Sequence, residues 1–284
     1  MKQRTPNATR LKAKINAYAK NNAISAQVVL QNFMFERLVE RIARSRFASN
    51  FVIKGGLLLS SIFGLDKRTT MDMDTTIVNF PLTKNKILDV IQEILNVPIN
   101  DNTSFEIVST SSIRKNDNYG GYSLRLNAIY ESVVTPIFID ITTGDSIVPA
   151  PVQFGFRKIF SDEFFFIYSY PIETVLAEKL ETIITRGILN TRPRDYYDVY
   201  MLTKSVDFDI STLKHALLAT AEHRKTKDVI TQESTQRIKE IAQSTDVRHQ
   251  WENYCATFNY AKGISFETVV SAVRDLLEIG RAHV

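Results

Sequence analysis

The hydrophobic pattern changes period twice along the chain, and this restricts the possible folds more than any other feature. Residues 9–21 and 25–46 carry apolar side chains at helical spacing, with Val28, Phe35, Leu38, Val39 and Ile42 marking the buried stripe of the second. From residue 51 onward, segments of strand character take over, at 51–53, 72–80, 104–112, 122–130, 135–142 and 163–168. Helices are expected between them at 57–63 and from Thr83, a suitable N-cap, to about Leu95. Gly120-Gly121 reads as a turn. Past Pro171 the period becomes helical again, over 172–186, 194–203, 210–223, 231–242, 247–258 and 266–277. The pattern predicts an α+β chain. Residues 1–170 would form an α/β domain with N-terminal helices and a mixed sheet, and 171–284 a helical bundle.

The length of 284 residues is enough to bury a substantial core. No apolar run approaches the roughly 20 residues a membrane helix needs. The start, Met1-Lys-Gln-Arg-Thr-Pro-Asn, lacks the apolar stretch of a secretory signal. A single cysteine, Cys255, excludes an internal disulfide framework and suits a cytoplasmic protein. The four histidines have no ligand spacing, which argues against a zinc site. A net charge of +4 permits an anionic partner without requiring one. The run Arg224-Lys-Thr-Lys227 is either a phosphate contact or a solvated loop, and Trp251 with Tyr254 reads as core. The closing residues, Ile279-Gly-Arg-Ala-His-Val, do not continue the helical pattern before them.

Three short features carry chemistry. Asp72 and Asp74, at i and i+2 on a strand, point to the same face. Two carboxylates that close repel unless a cation joins them. The pair is either a site for a hard, oxygen-seeking ion such as magnesium or a wet strand face. Lys54-Gly55-Gly56 lies between a strand and a helix, where backbone N–H groups and the helix N-terminus favour phosphate. Ser60, one turn on, and Arg68, just before the acidic strand, are candidate phosphate contacts; the bland alternative is a tight turn with ordinary polar neighbours. Asp140 stands alone among apolar residues in Pro136-Ile-Phe-Ile-Asp-Ile. It is either a third ligand or a strand-end cap.

Taken together, Gly55-Gly56, Asp72-Met-Asp74 and Ile139-Asp140-Ile141 resemble the three-part signature of polymerase-beta-like nucleotidyltransferases. The longer pattern adds Lys54-Gly-Gly-Leu-Leu-Leu, Arg68-x-Thr70-x-Asp72-x-Asp74, Leu176-Ala-Glu-Lys179-Leu and Arg194-Asp195-Tyr-Tyr-Asp198. It resembles the AbiEii nucleotidyltransferase toxins of abortive-infection systems, which are related to the MenT toxins. The spacer from Gly56 to Asp72 is slightly longer than the superfamily pattern.

The resemblance implies a polymerase-beta-like α/β half with a helical second half. It implies a two-metal Mg2+ site on Asp72, Asp74 and Asp140, and a nucleoside triphosphate substrate. Lys54, Gly55, Gly56, Ser60, Arg68, Lys179 and Arg194 would bind the nucleotide. Lys179, Asp195 and Asp198 would join the catalytic set, the two aspartates sharing one helix face and positioning Lys179. The acceptor it implies is tRNA. The implied partner is a separately encoded antitoxin with no stable complex, and the enzyme is expected to be a monomer. Two other readings stay open: transfer to a small molecule, and a non-catalytic nucleotide- or RNA-binding regulator.

Overall fold

The computed structural model describes residues 5–81, 83–113 and 120–279. Residues 114–119, next to the Gly120 turn, and the closing residues 280–284 lie outside that set. The chain divides into two compact units, residues 1–145 with 152–169, and residues 146–151 with 170–284.

In the first unit, helices α1 (Pro6–Asn21) and α2 (Ala26–Arg44) precede strand β1 (Phe51–Lys54) and helix α3 (Gly55–Phe63). Strand β2 (Met73–Ile77), helix α4 (Lys84–Leu95) and strands β3 (Thr103–Ile113), β4 (Gly121–Tyr130), β5 (Val133–Thr143), β6 (Val152–Arg157) and β7 (Phe164–Ser169) follow. Side chains cap α1, α2 and α4, the last at Thr83 as expected from the sequence. Thr5 accepts from Ala8 N–H, Ser25 from Val28 N–H and Thr83 from Lys86 N–H.

The strands form one mixed seven-stranded sheet in the order β3-β4-β5-β2-β1-β7-β6. Alternation gives each strand two unlike faces. One face carries Ile53, Met73, Thr75, Ile77, Leu124, Leu126, Ile137, Ile139 and Ile141, all buried. Helices α2, α3 and α4 pack on the sheet. The other face carries the acidic and basic residues considered below.

Two strand limits differ from expectation. β2 begins at Met73, so Asp72 sits in a bend ahead of the strand. Thr70 Oγ1 donates to the Asp72 carbonyl at 3.1 Å, and buried Asn32 donates to the Thr70 carbonyl at 2.8 Å. These bonds occupy groups that a ladder would need. β2 ends at Ile77 because the next residues turn away: Val78 N–H donates to the Asn50 carbonyl and Asn79 takes a φ of 55°. β6 has no counterpart among the expected strands. Its sequence, Val-Gln-Phe-Gly-Phe-Arg, follows Pro149 and Pro151 and contains Gly155, the composition of an edge strand or a turn.

The second unit contains α5 (Ile172–Arg186), α6 (Pro193–Ser205), α7 (Ile210–His223), a π-helical turn (Val229–Glu233), α8 (Ser234–Gln243), α9 (Thr245–Thr257) and α10 (Phe266–Ile279). Trp251 is buried and donates to the Ile264 carbonyl, and Tyr254 is buried beside it. Arg224 turns inward to Glu181 at 2.5 Å and Glu178 at 3.1 Å, so that end of the basic run is part of an ion-pair network. Among the described residues, no helix is long and apolar enough to cross a membrane.

Candidate active site

Strand register brings the predicted residues together from distant parts of the sequence. β2 runs parallel to β5 with Asp74 opposite Asp140, and antiparallel to β1 with Lys54 opposite Asp74. Thr76 pairs with Thr142 two residues further along. By alternation, Lys54, Asp74, Thr76, Asp140 and Thr142 all project from one face.

Asp74 is half-buried, and its carboxyl lies above the usual carboxylate range. Desolvation is the main cause; the nearby Lys54 charge opposes it, while Asp72 and Asp140 push it further up. The Gly56 N–H donates to Asp74 and favours the charged form. Gly55 adopts a φ of 62°, and a Cβ there would lie 2.2 Å from Asp74 Oδ2. A Cβ on Gly56 would lie 2.4 Å from Thr70 Oγ1. The two glycines are therefore required by the close approach of the turn to the acidic strand, and the Gly56 amide is directed at a carboxylate. Gly55→Ala combines a steric clash with left-handed backbone strain of about 1–2 kcal/mol. We expect it to displace Asp74, abolish activity and lower the melting temperature by several degrees, as measured by transfer assay and thermal melt.

Lys54 is buried, and its ammonium has defined partners: Asp145 Oδ2 at 2.5 Å and Thr142 Oγ1 at 2.8 Å. Thr76 and Thr142 also donate to Asp145, and their hydroxyls lie 2.9 Å apart. Burial raises Asp145, but the Lys54 charge and these hydrogen bonds outweigh it and hold the carboxyl well below the usual range. This network lies beside the acidic pair. Arg68 is buried and donates to the Thr69 carbonyl. Ser60 is buried and donates to the Leu57 carbonyl of its own helix at 2.9 Å.

The helical unit holds its own charged cluster. Lys179 donates to Asp195 Oδ1 at 2.9 Å and Asp198 Oδ2 at 2.6 Å, and both aspartates are buried. Their i, i+3 spacing on α6 places them side by side around the ammonium of α5. Arg192 reaches Asp195 at 3.2 Å, and the Arg194 guanidinium stacks over Phe258 at 5.7 Å.

Sequence reasoning missed Asn32, Thr76, Thr142 and Asp145. The two threonines could have been found from the i+2 spacing to Asp74 and Asp140. Nothing in the chain signals that Lys54 meets a carboxylate 91 positions later.

A family model for the nucleotidyl transferase AbiEii toxin of type IV toxin–antitoxin systems matches residues 37–272. The chain belongs to the AbiEii family. It is a nucleotidyltransferase enzyme, and the AbiEii match spans both structural units. Two Helicobacter pylori crystal structures are similar. One, of a candidate nucleotidyltransferase, has 13% identity and a TM-score of 0.49, covering 92% of this chain and 99% of that one. The other, of JHP933, has 13% identity and a TM-score of 0.48, covering 91% of this chain and 95% of that one. No curated relative matches the sequence.

The donor chemistry of the AbiEii site suits a hard cation, since Asp74 and Asp140 offer oxygen ligands from neighbouring strands and their repulsion raises Asp74. Asp72 is exposed in its bend. Among the described residues, no three acidic, histidine or cysteine side chains converge closely enough to hold an ion as they stand. The sequence placed Asp72 on the strand with Asp74; the structure places it in the bend just before β2, where its charge still acts on Asp74.

Proposed function

We propose that this AbiEii enzyme is a magnesium-dependent toxin that transfers a nucleotidyl group from a nucleoside triphosphate to the 3′ end of an RNA, with tRNA the leading acceptor. The observation that carries this reading is the register pairing of Asp74 with Asp140 beside the Gly55-Gly56 turn. Magnesium held by Asp74, Asp140 and Asp72 would neutralise charge on the triphosphate and lower the pKa of an acceptor hydroxyl. The chain's own groups do the rest. Asp140 takes the proton from the acceptor hydroxyl, whose oxygen forms a bond to the α-phosphorus. The bond from that phosphorus to the bridging oxygen breaks, and pyrophosphate leaves. Gly56 N–H and Lys54 favour the charged form of Asp74 against its burial. Lys179, fixed by Asp195 and Asp198, and Arg194 are proposed as nucleotide-site residues of the helical unit on the family match alone.

Type IV systems encode the antitoxin separately, and we expect no stable toxin–antitoxin complex. Overexpressed wild-type protein is expected to arrest growth of a bacterial host. Asp72→Ala and Asp74→Ala are each expected to restore it. Unchanged toxicity in both variants would favour a binding protein over an enzyme.

A further inference from the structure

The same face of the sheet continues past the acidic pair on β5, β4 and β3. Phe138 lies two residues before Asp140 on the same face of β5, about 7 Å along the strand. Because β5 is parallel to β2 with Met73 opposite Ile139, Phe138 falls on the side where Asp72 precedes its strand. Phe138 is 45% exposed, unusual for a phenylalanine in the middle of a central strand. Arg125 is directly opposite it on β4, exposed, with its guanidinium 6.0 Å from the ring centroid. Ser123 stands opposite Asp140, and Ser111 and Ser109 extend the same face onto β3 opposite Ser123 and Arg125.

The surface combines an exposed ring, a guanidinium and hydroxyls, with the exposed Val134 four residues earlier on the same face of β5. It is well suited to a nucleotide strand: the ring stacks a base, the cation meets a phosphate, and the hydroxyls meet sugar and phosphate oxygens. We propose that Phe138 and Arg125 form the platform on which the single-stranded 3′ end of the RNA acceptor lies, with its terminal hydroxyl at Asp140. This rests on the reading of the enzyme as an RNA-directed nucleotidyltransferase. The platform determines the acceptor and leaves the triphosphate untouched.

The full-length protein is tested with Phe138→Ala, Arg125→Ala and Phe138→Tyr. Phe166→Ala, an exposed phenylalanine on the distant β6–β7 hairpin, serves as control. Binding is read by anisotropy of a fluorescein-labelled single-stranded RNA, and catalysis by separate KM values for RNA and triphosphate. Phe138→Ala and Arg125→Ala should each weaken RNA binding and raise the RNA KM about tenfold, with the triphosphate KM unchanged. Phe138→Tyr and Phe166→Ala should behave as wild type. The platform is overturned if Phe138→Ala binds RNA normally, if the triphosphate KM rises instead, or if wild type binds no RNA. Wild type that binds RNA through Phe138 but transfers nothing would uphold the platform and overturn the catalytic reading.

Discussion

Asp74→Asn is expected to reduce nucleotidyl transfer by about a thousandfold or more, while leaving the protein at least as stable as wild type. The rate loss follows from the position of Asp74. It is register partner to Asp140 and lies against Gly55, at the centre of the acidic group. Losing one preorganised charge at a reacting phosphate typically costs two to three orders of magnitude, and the proposed role of Asp74 as a metal ligand puts it at the upper end. The stability direction follows from the sign of its pKa shift. Burial and two acidic neighbours raise the folded-state value above the unfolded one. Such a carboxyl contributes stability when protonated, below the unfolded value, and that contribution is lost as pH rises through the folded value. At neutral pH the charged form is therefore a cost, which asparagine removes. Melts in chelator at pH 7 would reveal it. An inactive variant that melts far lower than wild type would instead make Asp74 a structural residue.

Asp145→Ala carries the second large effect, in the opposite sense. It should destabilise the sheet unit by about 3–5 kcal/mol, because it removes the carboxylate that pairs with the buried Lys54 ammonium at 2.5 Å. Replacing both partners with apolar groups, as in Lys54→Met with Asp145→Leu, should recover much of that loss, because an apolar pair incurs no ion desolvation. The pH dependence also has a definite sign. The Asp145 carboxyl is depressed in the folded state, so its contribution is complete above the ordinary carboxylate range near 4 and is lost progressively as pH falls below it. Wild-type stability should therefore decline below about pH 4, and Asp145→Ala should lose that part of the decline. Urea titrations at pH 7 and pH 3 provide the measurement. A variant within about 1 kcal/mol of wild type would show that Lys54 is solvated or finds another partner.

What the sequence revealed depended on whether a feature is local or long-range. Asp140 was visible as one carboxylate among apolar neighbours, and the i, i+3 spacing put Asp195 and Asp198 on one helix face with Lys179, Arg194 or the nucleotide as possible partners; the structure pairs both with Lys179. Side-by-side placement of Asp74 and Asp140 depends on parallel pairing of β2 with β5, which no local pattern states. Asp72 was misplaced onto the strand because its bend is imposed by Asn32, 38 residues from the Thr70 carbonyl it holds. Ser60 resembled a phosphate contact by position, yet its hydroxyl is satisfied within its own helix. The Lys54–Asp145 pair joins residues on separate strands and loops, so neither one alone signals the other.

The proposed role of Asp74 and Asp140 in phosphoryl transfer to RNA is open to direct test. The most direct measurement is incubation of the purified protein with total tRNA, magnesium and each of the four α-32P-labelled triphosphates in turn, alongside Asp74→Asn. Label on tRNA is expected with at least one triphosphate, with pyrophosphate released in equal amount, and neither product from Asp74→Asn. Absence of label with all four triphosphates, or equal labelling by Asp74→Asn, would contradict that role.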